Sequence, residues 1–345
     1  MKNILYLTGI ILFFSSCSST NLVFISVKEP APVTVPNYIK SVAIVNRSLA
    51  SKETKVLNDI HRVISMESKS LVEEGGKACI NGLNDELIAN NRFENVVKLD
   101  TTELRSYGVG VFPSALDWSQ VEKICRDTKT DALFSLELFD TDTKLNYSTS
   151  PTKINTGIIS LPALEHQVNM NTLVKTGWRM YDPGGRVILD ESNISKELQF
   201  YGKGINPVVA ADALIGKKEA VKQVGNMAGH IYAAKIDPYW IRVNREYFVK
   251  GSDNLATAKR KAQTGDWDQA GDLWKKETNS SSRKVAGRAC YNMAIINEIN
   301  GDIDAAIMWA QKAYEDYRVK IALGYVNILR NRKANNELLA VQNGN

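Results

Sequence analysis

Gly265-Asp266-Trp267-Asp268-Gln269-Ala270 recurs 36 residues later as Gly301-Asp302-Ile303-Asp304-Ala305-Ala306. Ala258 and Ala294 each stand seven residues before the glycine and share that offset. Self-similarity at such a period signals stacked supersecondary units, none of which can bury its apolar face alone. The residue types suit a helix–turn–helix. A glycine just past a helix supplies the left-handed cap. Asp266 and Asp302, in the turn, place negative charge at the start of the next helix, where its dipole favours it. Ala258 with Ala270, and Ala294 with Ala306, are small enough for the two helices of a hairpin to approach closely. Leu273, Trp274, Ile307 and Trp309 fill the gaps. Asn279-Ser280-Ser281-Ser282 links the units, and Val319 to Val341 is expected to add a further helix or two as a cap.

The second unit, Tyr291-Asn292-Met293-Ala294 through Ala306, Ala310 and Ala313, resembles a tetratricopeptide repeat almost position for position. The resemblance makes Ala258, Gly265, Ala270, Ala294, Gly301 and Ala306 the packing positions. It also implies a groove suited to holding a segment of another protein. Two units are fewer than the three or so needed for independence, so support from the preceding domain is expected, through Pro238-Tyr239-Trp240-Ile241. Trp240, Trp267 and Trp274 read as core packing.

Upstream, the periodicity changes. Leu22 to Val27 is β-branched and aromatic, a strand pattern, and Pro30-Ala31-Pro32-Val33-Thr34-Val35-Pro36 must then be extended. Ser41 to Val45 reads as a buried strand. Ser68 to Asn91 is a helix, with Val72, Cys79, Ile80, Leu83, Leu87 and Ile88 on one face and Gly75-Gly76 weakening its start. Phe93 to Leu99 is a strand, Asp117 to Thr128 a helix, and Ala132 to Phe139 a strand. From Val168 to Met180 apolar and polar residues alternate, as on one face of a long strand. Asp182-Pro183-Gly184-Gly185 is a turn, with return strands at Arg186 to Asp190 and Lys196 to Tyr201. Pro207 to Lys235 reads as a helix interrupted by Gly216, Gly225 and Gly229.

The expected fold class is α+β: a mixed-sheet α/β domain over residues 38–237, then an α-helical repeat domain over 238–345. Within residues 38–140, a long helix precedes a strand at Arg92-Phe93, and a second helix leads into a strand at Asp131-Ala132. That order resembles the amino-terminal domain of TolB and the periplasmic domain of curli-secretion-type lipoproteins. The whole chain is similar to Bacteroidetes lipoproteins that join such a domain to helical repeats, a resemblance that implies an envelope location and names no activity.

The amino terminus fits that location. Lys2, an apolar run from Ile4 to Phe14 and small Ser15-Ser16, followed by Cys17, resemble a lipoprotein signal peptide over residues 1–16. The run is too short to span a bilayer as a helix. Cys17 is the expected lipidation site, and residues 17–37 a lipidated tether with an edge strand. Two acyl chains suffice for stable attachment. Ser18 stands where an Asp favours inner-membrane retention in known lipoproteins, so the resemblance implies outer-membrane sorting. The absence of acids from Ser18 to Asn21 favours a periplasm-facing orientation.

Charge is unevenly placed. The net charge is +5, and from Trp240 to the end there are 17 Lys and Arg against 12 Asp and Glu, so the rest of the chain is balanced. The excess suits acidic partners or anionic headgroups. With no dense Lys/Arg cluster, however, it reads as a solvated helical face. Nucleic-acid binding is not expected of an exported chain without a basic aromatic stripe. Cys79, Cys125 and Cys290 read as small buried hydrophobes, with a single bridge between two of them the alternative. His61, His166 and His230 lack ligand spacing, and neither metal nor cofactor is expected.

No nucleophile elbow, zincin motif or phosphate loop is present. Gly202-Lys203-Gly204 reads as a loop. The adjacent carboxylates Asp190-Glu191 would point to opposite faces of a strand, a poor geometry for shared acid–base work. The reading that results is a non-enzymatic, membrane-anchored adaptor that binds an envelope protein through the repeat groove. The alternative is an envelope hydrolase or glycan-active enzyme working through the α/β domain.

Overall fold

The computed structural model describes residues 19–48, 66–99, 112–155, 157 and 159–344. Cys17 and His61 lie outside the described residues. The chain divides into two compact units: one built from the early residues through Pro30 together with Tyr239–Val341, the other from Ala31–Pro238 together with Gln342–Gly344.

The second unit is organised by a five-stranded mixed sheet. Its strands are β2 (Ser41–Asn46), β3 (Asn95–Leu99), β4 (Ala132–Asn155), β5 (Ser160–Asp182) and β6 (Val187–Gly204), in the order β3-β2-β4-β5-β6. Strands β3, β2 and β4 run parallel, and β4, β5 and β6 antiparallel. The parallel steps are joined through α1 (Met66–Ala89) and α2 (Trp118–Thr128). Such connections cover both faces of a sheet, so the strand between them must be apolar throughout. In β2, Val42 and Ile44 join the cluster of Leu83, Leu87, Phe134, Trp178 and Tyr232. Ala43 and Val45 join Val121, Cys125, Leu133 and Tyr181 on the opposite face.

Several strand expectations change. The strands expected over Arg186–Asp190 and Lys196–Tyr201 are not separate but lie along one continuous β6, with Arg186 itself in the preceding turn. Ala132–Phe139 is only the start of β4, and the alternation from Val168 is the inner part of β5. Beyond Asp140 almost every described residue of β4 is exposed. With both faces in water, the period-2 contrast that marks a strand is lost. Gly202-Lys203-Gly204 is the end of β6 rather than a loop.

The helix expected over Pro207–Lys235 is divided into α3 (Pro207–Asp212) and α4 (Lys217–Ala233), with a 3-10 turn at Ala234–Ile236. Asn206 caps α3 by accepting from the Val209 amide, and Gly216 occupies the cap position of α4. The glycines in α1 and α4 have a positive role. A Cβ on Gly229 would come within 2.0 Å of the Cys79 carbonyl oxygen, and one on Gly82 within 2.0 Å of that of Asn226. These two helices therefore meet backbone to backbone, an approach that any side chain would block.

The other unit begins with a two-stranded antiparallel ribbon, β1 (Thr20–Glu29) with β7 (Tyr239–Phe248). The strand expected over Leu22–Val27 is thus present, with a partner for which the sequence offered no separate element. Trp240, read as core, lies on that partner and is 67% exposed, a correction. Strand β7 has no alternating run of apolar residues long enough to set it apart from a loop. The helices follow as α5 (Asp253–Gln263), α6 (Trp267–Glu277), α7 (Arg283–Ile299), α8 (Ile303–Glu315) and α9 (Lys320–Gln342). Trp274 is fully buried, and Tyr247 of the ribbon packs against both Trp267 and Trp274, with ring centroids 5.8 and 5.7 Å away. Among the described residues, no helix is long and apolar enough to cross a membrane.

Candidate functional site

The hairpins α5–α6 and α7–α8 are closed by the same device. Gly265 has φ +90° and Gly301 φ +84°, and a Cβ at either would meet nothing, so conformation rather than space selects glycine. The amide of Asp266 donates to the Lys261 carbonyl, and that of Asp302 to the Asn297 carbonyl, both at 2.9 Å. These are the six-to-one bonds of a Schellman cap. Ala258, Ala270, Ala294 and Ala306 are all fully buried in the helical core. The turns differ in one respect. Asp302 accepts from the Ala305 amide at 2.9 Å, whereas Asp266 makes no capping bond.

Helix α7 carries two polar groups that fasten it to the ribbon. Asn292 accepts from the Phe248 amide and donates to the Phe248 carbonyl, both at 2.7 Å. Glu298, fully buried, takes a two-pronged bond from Arg245 at 2.8 and 2.9 Å, with Tyr325 at 2.6 Å and Arg332 at 2.6 Å. Burial pushes this carboxyl up, but the bonds from Arg245, Tyr325 and Arg332 outweigh it and hold the group below its ordinary value. With its acceptor sites taken by charged and neutral donors, Glu298 is a clasp rather than an acid or base.

Its counterpart in the sheet unit is Glu137 on β4. Arg47 lies at 2.5 Å, the Tyr181 hydroxyl at 2.9 Å and Arg179 at 3.8 Å. Here burial dominates and raises the carboxyl against the pull of Arg47, Tyr181 and Arg179. On β6, Asp190 meets Lys235 at 3.0 Å, while Glu191 meets Arg179 at 2.7 Å. Each carboxylate therefore serves a different cation. His230 bonds Glu86 at 2.8 Å and His166 bonds Tyr147 at 2.5 Å. Cys79, Cys125 and Cys290 are buried and unbridged, and burial pushes the thiols of Cys125 and Cys290 up to about 11.

A concave feature with a basic character lies in the helical unit. It is a depression of about 480 Å³ where the start of α7, the α8–α9 turn and the end of β7 converge. Arg283, Lys284, Arg288, Arg318 and Lys320 line it with the rings of Phe248 and Tyr317, and no carboxylate is among the lining residues. The guanidinium of Arg288 lies over Phe248 at 5.1 Å and that of Arg283 over Tyr317 at 6.0 Å. Their bonds to the carbonyls of Lys250 and Asp316 hold them in place. Gly287 makes room for this wall, since a Cβ there would come within 2.6 Å of the Tyr317 Cβ.

The sequence reading passed over this site because its cations lie in two segments, Arg283–Arg288 and Arg318–Lys320, and only the fold assembles them. A local signal was present. Helices α5, α6 and α8 open with an acid in the first turn, namely Asp253, Asp268 and Asp304. Helices α7 and α9 have none and open on Arg283-Lys284 and Lys320. Cations at a helix start oppose the dipole, which points to a use other than stability.

Residues 39–248 match the family model described as "Domain of unknown function (DUF8603)". The chain belongs to that family. The DUF8603 match ends at the last residue of β7, and a second model, "Domain of unknown function (DUF6340)", matches residues 256–331, within α5 to α9. No curated protein matches the chain. Among solved structures, a PelC dodecamer from Paraburkholderia phytofirmans aligns at 11% identity and TM-score 0.25, covering 62% of this chain and 98% of that one. A putative neuraminyllactose-binding hemagglutinin homolog from Helicobacter pylori aligns at 11% identity and TM-score 0.24, covering 68% and 94%. Superpositions this loose carry no argument.

Proposed function

We propose that this DUF8603 chain is a non-enzymatic adaptor of the cell envelope, anchored through acyl chains on Cys17 to the outer membrane and facing the periplasm. Its helical unit, built on tetratricopeptide-like hairpins, is the protein-binding part. One observation carries the reading: two successive helical hairpins, 36 residues apart, close on the same glycine cap with the same backbone bonds. Stacked hairpins of this kind offer extended surfaces to protein segments. Met308 on α8 and Leu323 and Ile328 on α9 add exposed apolar side chains, 56%, 46% and 45% accessible.

Two experiments test the reading. Cys17→Ala is expected to move the protein from the membrane to the soluble fraction, and an unchanged membrane fraction defeats the anchor. Photo-crosslinking residues at Met308 and Ile328 are expected to capture a discrete partner in cells, while one at exposed Tyr201 on β6 does not. Adducts at Tyr201 alone, or at none of the three, defeat the adaptor.

A further inference from the structure

We infer that the basic depression between α7 and α9 is a seat for the anionic phosphate headgroups of the membrane that carries the anchor. The inference rests on the lipid-anchor reading and adds a second, electrostatic attachment beside it.

The geometry starts at the ribbon. Thr20 pairs with Phe248, and the Val249 amide donates to the Ser19 carbonyl at 3.0 Å. Phe248 is itself part of the depression wall, and Arg288 reaches from that wall to the Lys250 carbonyl. The first described residues of the chain are therefore held beside the basic site. In sequence only Ser18 separates Cys17 from Ser19, a reach of about 7 Å at most. A lipid on Cys17 thus brings the basic site toward the headgroup surface, where charges act over a Debye length of about 8 Å at physiological salt.

The chemistry agrees. A phosphate monoanion or diester is met by arginine forks and by lysines as point charges. Arg283 and Arg288 are already aimed by carbonyl bonds and ring faces, so little freedom is lost on binding. The first turns of α7 and α9 present further amide donors of the kind anions use. Exposed Lys284 and Lys320 project from those turns with no acid in either. Each basic residue near an anionic bilayer contributes about 1 kcal/mol, a factor of about five in affinity.

The test uses the mature chain with Cys17→Ser, purified without acyl chains, in co-sedimentation with vesicles. Binding is expected to vesicles containing phosphatidylglycerol and not to pure phosphatidylcholine, and it should weaken as salt is raised. The double variant Lys284→Glu/Lys320→Glu should bind about thirtyfold more weakly or worse. It should also melt at the same temperature or higher, because acids in those first turns suit the helix dipoles. That melting point separates lost binding from lost folding. Four results overturn the inference: no binding of the parent to phosphatidylglycerol, equal binding of the double variant, binding abolished by a few millimolar inorganic phosphate (a free-anion site), or capture of a glutamate-rich peptide with vesicles ignored (a protein site). None of them bears on acylation, which the Cys17→Ala fractionation reads independently.

Discussion

Glu298 in the helical unit and Glu137 in the sheet unit are both buried carboxylates facing two arginines and a tyrosine, yet burial is outweighed at the first and dominates at the second. The difference lies in how far the donors are committed. Arg245 gives Glu298 two bonds, and Arg332 and Tyr325 add one each. At Glu137, Arg179 stands off at 3.8 Å because its nitrogens serve Glu191 and the Pro113 carbonyl, both at 2.7 Å. Two cations nearby do not guarantee a stabilised anion; the number of bonds delivered decides the sign.

The sharpest way to break the comparison is Glu298→Gln. It leaves Arg245 and Arg332, whose side chains are only 11% and 18% exposed, without their counter-charge. A loss of about 3–5 kcal/mol is expected in urea denaturation. Glu137→Gln should cost less, about 2 kcal/mol, because only Arg47 loses its close ion pair there while Arg179 keeps Glu191. Equal losses at the two sites would end the distinction. Tyr325→Phe removes one bond to a charged acceptor, about 1.5 kcal/mol, and should raise the Glu298 carboxyl, visible as a shifted acid limb of the melting curve.

The smallest effect is the pH dependence, and its sign differs between the sites. Glu298, lowered from its ordinary 4.5, contributes stability in full above that pH and loses it as pH falls through the folded value. Glu137, raised from 4.5, contributes in full below that pH and loses it as pH rises through its folded value. Melting temperatures between about pH 3 and 6 should therefore lose their acid-side slope in Glu298→Gln and their upper slope in Glu137→Gln.

The hairpin caps were readable because a left-handed backbone position narrows the choice to glycine, and the two glycines repeat at a fixed distance. The order of strands and helices from Ser41 to Phe139 was readable because apolar faces impose periodicity. What escaped had little or no local signature. The outer stretches of β4 to β6 lie in water, and β7 depends on a partner from the opposite end of the chain. The glycines of α1 and α4 count as helix breakers until the neighbouring backbone is seen. The basic site is contiguous only in space, although lysine and arginine at the start of α7, where acids belong, marked half of it.

The register of the ribbon has a consequence for chain architecture. Glu29, the last residue of β1, sits opposite Tyr239, the first of β7. The ribbon is therefore a β-hairpin whose connection, Pro30 to Pro238, holds all five strands of the mixed sheet as a guest. Closing so long a loop adds little entropy cost, about 0.6 kcal/mol per doubling, so the host accepts its guest cheaply. Replacing the guest with an Asn-Gly turn would rejoin neighbouring strand ends without rethreading the chain. During translation, β1 remains an unpaired strand until the guest has been synthesised.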